Sequence, residues 1–127
     1  MMAQQSQGKR EMPGAEAVLL AEMVNYQAGA VVSRALIQRT PATLTLFAFD
    51  AGQGLSEHTT PFDALVHVLE GEAEITVSGI PIVTKAGQAV LVPANQPHAL
   101  KALTPFKMLL TMIRSQAEKA DSSLRSE

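Results

Sequence analysis

The chain has no cysteine. That excludes disulfides and thiolate chemistry, and it fits a reducing compartment. Charge of one dominant sign is also missing. Ten basic residues stand against twelve acidic ones, for a formal charge of −2. This balance offers no broad electrostatic footprint for nucleic acid. No apolar run reaches the length of a membrane span. The first residues, MMAQQSQGKREMPG, are polar and lack the apolar core of a signal peptide. Tyrosine is nearly absent too, with Tyr26 the sole example. The expectation is a soluble cytoplasmic protein with neither a nucleic-acid nor a membrane partner.

What is present fits a single domain. A chain of 127 residues with no repeat and no long compositional break can bury a real core without staples. Its two ends differ from its middle. Residues 1–13 are polar and are expected to be a disordered tail. Residues 114–127 carry charge of both signs and read as a tail or a short solvated helix. The domain is expected over 14–113. Within it, residues 16–24, EAVLLAEMV, have little β-branching. They fit a helical turn or an irregular strand equally well.

From residue 31 onward the signal is short strands. The runs 31–38, 43–49, 64–69, 73–77, 81–84, 89–93, 98–102 and 106–113 are separated by glycine, proline or polar turns. Such spacing argues for an all-β sandwich or barrel. Some strands alternate, with Ala73, Ile75 and Val77 on one face and Glu72, Glu74 and Thr76 on the other. Others, notably 89–92 and 106–113, are apolar on both faces. Those must be covered on both sides. With no long helix to cover them, a two-fold homodimer is expected to do so.

Two motifs then give the chain a family resemblance. In the first, Gly52 is followed by five residues and His58, and the segment closes at Gly71. In the second, Gly87 is followed by QAVLV, then Pro93, and His98 comes three positions after Asn95. With the hairpin between them they cover residues 52–102. This pattern resembles the cupin family of small jelly-roll barrels, also described as double-stranded β-helices. The resemblance implies an all-β jelly-roll fold. It implies no single activity, because this fold carries dioxygenases, isomerases, decarboxylases, storage proteins and sensors.

The departures from the family pattern bear most on function. The second histidine position of the first motif is Thr60, and its glutamate position is Ala64. In the second motif the glycine position is Asn95 and the closing asparagine is Ala102. Of the four ligands that the family implies, His58 and His98 remain. Threonine is a poor ligand for a divalent transition metal, and alanine is none. Asp63 sits one residue from the glutamate position and reaches the site only through a bulge. Otherwise it is a turn residue. His67 shares a face with Leu65 and Leu69, opposite Ala64, Val66 and Val68, so it reads as outward or interfacial.

Alternation supplies the rest of a pocket. Phe106, Met108, Leu110 and Met112 form one stripe of the last strand, and Phe47 and Phe49 share a face of another. A small, mostly apolar cavity is therefore expected, walled by His58, Thr60, Ala64, Val66, His98, Phe47, Phe106, Met108 and Met112. The bland alternative is a plain packed core.

The favoured function is binding of a small-molecule ligand in that pocket, with the metal site degenerate or absent. The alternative is a metal-dependent enzyme of the dioxygenase or isomerase type. There His58 and His98, helped by Asp63 or His67, hold a weakly bound Mn, Fe, Ni or Zn ion. Metal-free acid–base chemistry ranks last, because it needs an acid such as tyrosine and Tyr26 lies outside the motifs.

Overall fold

The turns between the short apolar runs do fold the chain into antiparallel strands. The computed structural model describes residues 11–114. The strands are β1 (Val31–Gln38), β2 (Ala42–Phe49), β3 (Gly54–His58), β4 (Phe62–Glu70), β5 (Glu72–Val77), β6 (Ile80–Lys85), β7 (Ala89–Val92), β8 (His98–Ala102) and β9 (Phe106–Arg114). One sheet has the order β1-β2-β9-β4-β7, and the other β3-β8-β5-β6. Every pairing is antiparallel. This is the jelly-roll barrel expected of an all-β chain.

The main core lies between the two sheets. Phe49, Val66, Val68, Phe106 and Met108 come from the five-stranded sheet, and Ala73, Ile75, Leu100 and Ala102 from the four-stranded one. Period-two alternation explains the set: Ala73 and Ile75 are fully buried, while Glu72 and Glu74 point away from them. At its centre the Phe49 and Phe106 rings stack with centroids 4.5 Å apart, and Phe47 adds to the stack at 5.8 Å from Phe49. Stacked aromatics of this size contribute much of the apolar area removed from water.

A second cluster forms on the outer face of the five-stranded sheet. Leu36, Leu46 and Ala48 are buried there beneath Val24, with Met12, Leu20 and Met23 packed against them. The segment before β1 is thus a cover for that face. It contains one 3-10 turn, Leu20–Glu22, which settles the ambiguity over 16–24 in favour of a helical turn in an irregular stretch. Two cations hold it down. Arg34 donates to Met23 O at 3.2 Å, and Lys107 Nζ donates to Ala21 O. Lys107 is buried, and its charge is met by Glu70 Oε2 at 3.7 Å and by the face of Tyr26 at 4.9 Å.

The cover begins earlier than the sequence suggests. Glu11 and Met12, both inside the expected 1–13 tail, are tied to β1. Met12 N donates to Leu36 O at 3.1 Å, and Glu11 accepts from Gln38 N at 3.0 Å. Glu11 also pairs with Arg39 at 2.6 Å, which holds its carboxyl below the usual carboxylate range. The expected tails over 1–10 and 115–127 lie outside the described residues.

The cover is partial. Farther along the same outer face, Leu65, Leu91 and Ile113 are 40%, 60% and 53% exposed. Leu91 and Ile113 belong to the strands that are apolar on both faces, where coverage by a second subunit was expected, and Leu65 pairs with Leu91 from the strand between them. Among the described residues nothing lies over them.

Candidate functional site

The site is built where the two motifs meet, on β3 and β8. β3 is a strand that apolar patterning misses: its residues are Gly-Leu-Ser-Glu-His, and most are exposed. It forms because β8 offers a paired edge. The register runs Gly54↔Lys101, Leu55↔Leu100 and His58↔His98, with an irregularity between Leu55 and His58. That shift puts the two histidines directly opposite each other. Their ring centroids are 4.3 Å apart, with the planes tilted by 56°.

Each ring is fixed by its own strand. His58 Nδ1 lies 2.8 Å from Ser56 O, and His98 Nδ1 lies 3.0 Å from Gln96 O. A carbonyl oxygen can only accept, so the proton of each bond sits on Nδ1. Nε2, on the far edge of each ring, is then a lone-pair acceptor in the neutral form. His98 is 7% exposed, whereas His58 stands open to solvent.

Both rings line a cavity of 40 Å³ between the sheets. Thr60, Ala64, Val66, Met108 and Met112 are on its wall, joined by Leu55, Leu100 and Leu110. A space of this size exceeds what one water needs. Phe47 and Phe106, expected on the wall, are not there. They belong to the aromatic stack that fills the core, because Phe49 draws both rings onto itself. Of the three unexpected wall residues, Leu55 gave the least signal, since its strand did not read as one.

Thr60 is structurally occupied. Its Oγ1 accepts from Phe62 N at 3.0 Å and donates to Phe62 O at 3.2 Å, as in a local side-chain turn. Its carbonyl accepts from Asn95 N at 2.7 Å, which ties the two motifs together. Asn95 has φ +67°. It replaces the family glycine with the residue type that best tolerates left-handed backbone, so the turn survives the substitution.

Asp63 and His67 stay away from the cavity. The β4–β9 register is regular from Phe62 to Val68, so the bulge that would bring Asp63 inward does not form. Asp63 Oδ1 accepts instead from Ala94 N at 2.9 Å and anchors the loop leading to His98. His67 pairs with Ala89 and Leu109 on the face opposite Val66. Tyr26 is held on the outer sheet face against Lys107, and its phenol is pushed up to about 12, first by burial and then by the nearby Glu70 carboxylate. Nothing places it to act as an acid on a molecule between the histidines.

The donor set does not fit the family's metal. Among the described residues no group of three or more His, Asp, Glu or Cys side chains converges. Two imidazoles remain, and the Thr60 hydroxyl is spent on the backbone. Catalytic zinc sites use three protein ligands, and the non-haem iron triad includes a carboxylate. No chemical step through a metal follows from these residues.

The close approach of β3 to β8 gives a direct test of how the pair is held. A Cβ built on Gly54 would overlap Leu100 O and lie 3.2 Å from Lys101 Cα. Both are backbone atoms and cannot swing aside. Gly54→Ala is therefore expected to push β3 off β8 and separate His58 from His98, at a cost of roughly 1–3 kcal/mol. Amide hydrogen exchange should show protection lost along β3 and β8 while β4 and β9 keep theirs. Unchanged protection would mean that β3 is not held by this contact.

Comparison with known proteins agrees with this architecture. The chain is similar to a conserved protein of unknown function from Streptococcus pyogenes, at 35% identity and TM-score 0.80, over 85% of this chain and 95% of that one. It is similar to a cupin superfamily protein from Desulfitobacterium hafniense, at 31% identity and TM-score 0.77, over 82% and 95% of the two chains. A cupin 2 conserved barrel domain protein from Leptotrichia buccalis shares 41% identity at TM-score 0.71, over 73% of this chain and 45% of that one. No curated protein matches. The model of the cupin domain matches residues 45–113, more than half of the 127. With the strand order and the two motifs already in place, the chain belongs to the cupin family.

Proposed function

We propose that the protein binds a small, mostly apolar molecule in the barrel cavity, with His58 and His98 as its polar contacts and without a resident metal. One observation carries this reading. Two imidazoles with free Nε2 atoms face a cavity whose other walls are aliphatic, thioether or already hydrogen-bonded. A concave apolar site with a few convergent polar groups is the common form of a small-molecule site. The lost ligands fit the same picture. Ala64 stands where a glutamate would occupy the space, and leucines and methionines line the cavity around it. Methionine adapts its shape to varied partners.

The test is elemental analysis and native mass spectrometry on full-length protein purified without a histidine tag. An organic adduct that persists in the gas phase, with metal well below one per chain, is the expected result. Metal near one per chain would overturn the reading and put the metal-dependent enzyme first. If the protein carries neither, binding is tested by melting curves against a library of compact apolar molecules. A ligand at a hundredfold its Kd should stabilise the fold by about 2.7 kcal/mol. A His98→Leu variant that keeps the same rise in melting temperature would remove the histidines from the reading.

A further inference from the structure

The hydrogen-bonding inventory of the cavity is one-sided. His98 and His58 each spend their Nδ1 proton on a carbonyl of their own strand, at 3.0 and 2.8 Å. The Thr60 hydroxyl donates to Phe62 O at 3.2 Å and has no second proton. Every other wall residue is aliphatic or a thioether, and a thioether is at best a weak acceptor. In its neutral state the cavity therefore offers acceptors and no donor.

The two acceptors are not equivalent. His58 is exposed, so solvent can satisfy its Nε2. His98 is 7% exposed, and no protein donor reaches its Nε2 among the described residues. His98 Nε2 is not sealed off, since among the described residues only Arg34 Nε is a buried side-chain polar atom without a partner. Solvent meets Nε2 until a ligand displaces it from the cavity that the ring lines, and a donor on the ligand then restores that bond whereas an acceptor loses it.

Resting on the binding reading above, we infer that the ligand is a hydrogen-bond donor: a compact apolar molecule bearing a hydroxyl or N–H whose proton is accepted by His98 Nε2. The same geometry rejects acceptor-only molecules. A ketone, ether or carboxylate oxygen would face imidazole lone pairs with no proton between them. That is a repulsive element, and specificity needs such elements as much as attractive ones. A carboxylate would also find no cation on the wall. His98 is thus the specificity-determining residue, and His58 guards the rim.

Three probes of one shape, small enough for a 40 Å³ space, test this: 2-propanol, acetone and propane. They share a three-carbon body and differ in offering a donor, only an acceptor, or neither. Affinities are measured by ligand-observed NMR. The expected order is alcohol first, with about a tenfold or greater advantage over the ketone. The ketone should bind no better than the hydrocarbon. His98→Leu should erase the alcohol's advantage while the hydrocarbon still binds. If the ketone matches or exceeds the alcohol, the donor inference is overturned and the binding reading stands. If none of the three binds wild-type protein, the binding reading itself fails. Should the variant not fold, the wild-type order alone decides.

Discussion

Gly71→Ala is expected to be among the most damaging single substitutions in this chain, lowering stability by roughly 3 kcal/mol or more. Two effects add. Gly71 has φ +81°, a conformation that costs a residue with a Cβ about 1–2 kcal/mol. In addition, a Cβ there would overlap Pro105 O and come within 2.7 Å of Phe106 Cβ and 2.8 Å of Phe106 Cα. Those atoms have nowhere to go. Phe106 is fully buried and stacks on Phe49, so moving it disturbs the aromatic centre of the core. The turn between β4 and β5 is therefore pressed directly against the start of β9. Urea unfolding followed by circular dichroism measures the loss as a fall in midpoint at constant slope. A variant with a wild-type midpoint would show that the hairpin can lift off the barrel freely.

The same glycine shows how far the sequence could be read. The motif that ends at Gly71 was visible because its spacing reflects fixed backbone needs: a tight turn, a strand of set length, a return. Eight of the strands follow from apolar runs between turns. β3 was invisible because its exposed face and edge position demand almost no apolar residues, and only its partner β8 makes it a strand. The inward set of β9 was legible from alternation, but not which of its members meet empty space. That depends on Phe49, which gathers Phe47 and Phe106 into a stack and leaves the cavity to Met108, Leu110 and Met112. The packing of the segment before β1 was illegible for a similar reason. Nothing in the sequence marks Lys107 and Arg34 for their role, which is to bind carbonyls of a covering loop. Long-range polar pairing of that kind leaves no periodic trace.

Restoring the two missing ligands should turn the cavity into a strong metal site. Thr60 and Ala64 line the same cavity as His58 and His98. Thr60→His and Ala64→Glu together would give three imidazoles and one carboxylate around that space. This donor set suits a first-row transition metal with positions left for water. The retained rings are already prepared for it, since each has its Nδ1 proton fixed by a carbonyl and Nε2 free, the arrangement that orients ligating histidines. Without metal the double variant should be less stable. Glutamate enters a space of 40 Å³ opposite Met112, and the Thr60 turn to Phe62 is lost. Together these cost roughly 1–3 kcal/mol through overpacking, carboxylate burial and the broken turn. Metal should offset that cost, because an ion that binds only the folded state adds about 2.7 kcal/mol at a free concentration a hundredfold above Kd. Calorimetric titration with Mn²⁺, Ni²⁺ and Zn²⁺, beside melting curves, is the measurement. Wild-type protein is expected to bind weakly or not at all, and the double variant to bind tightly with a raised melting temperature. Tight binding by the wild type would mean that two imidazoles and solvent suffice, and the metal-dependent reading would take first place. If the folded double variant shows no binding, the four positions do not converge on one point, and the cavity cannot be a metal centre that has lost its ligands.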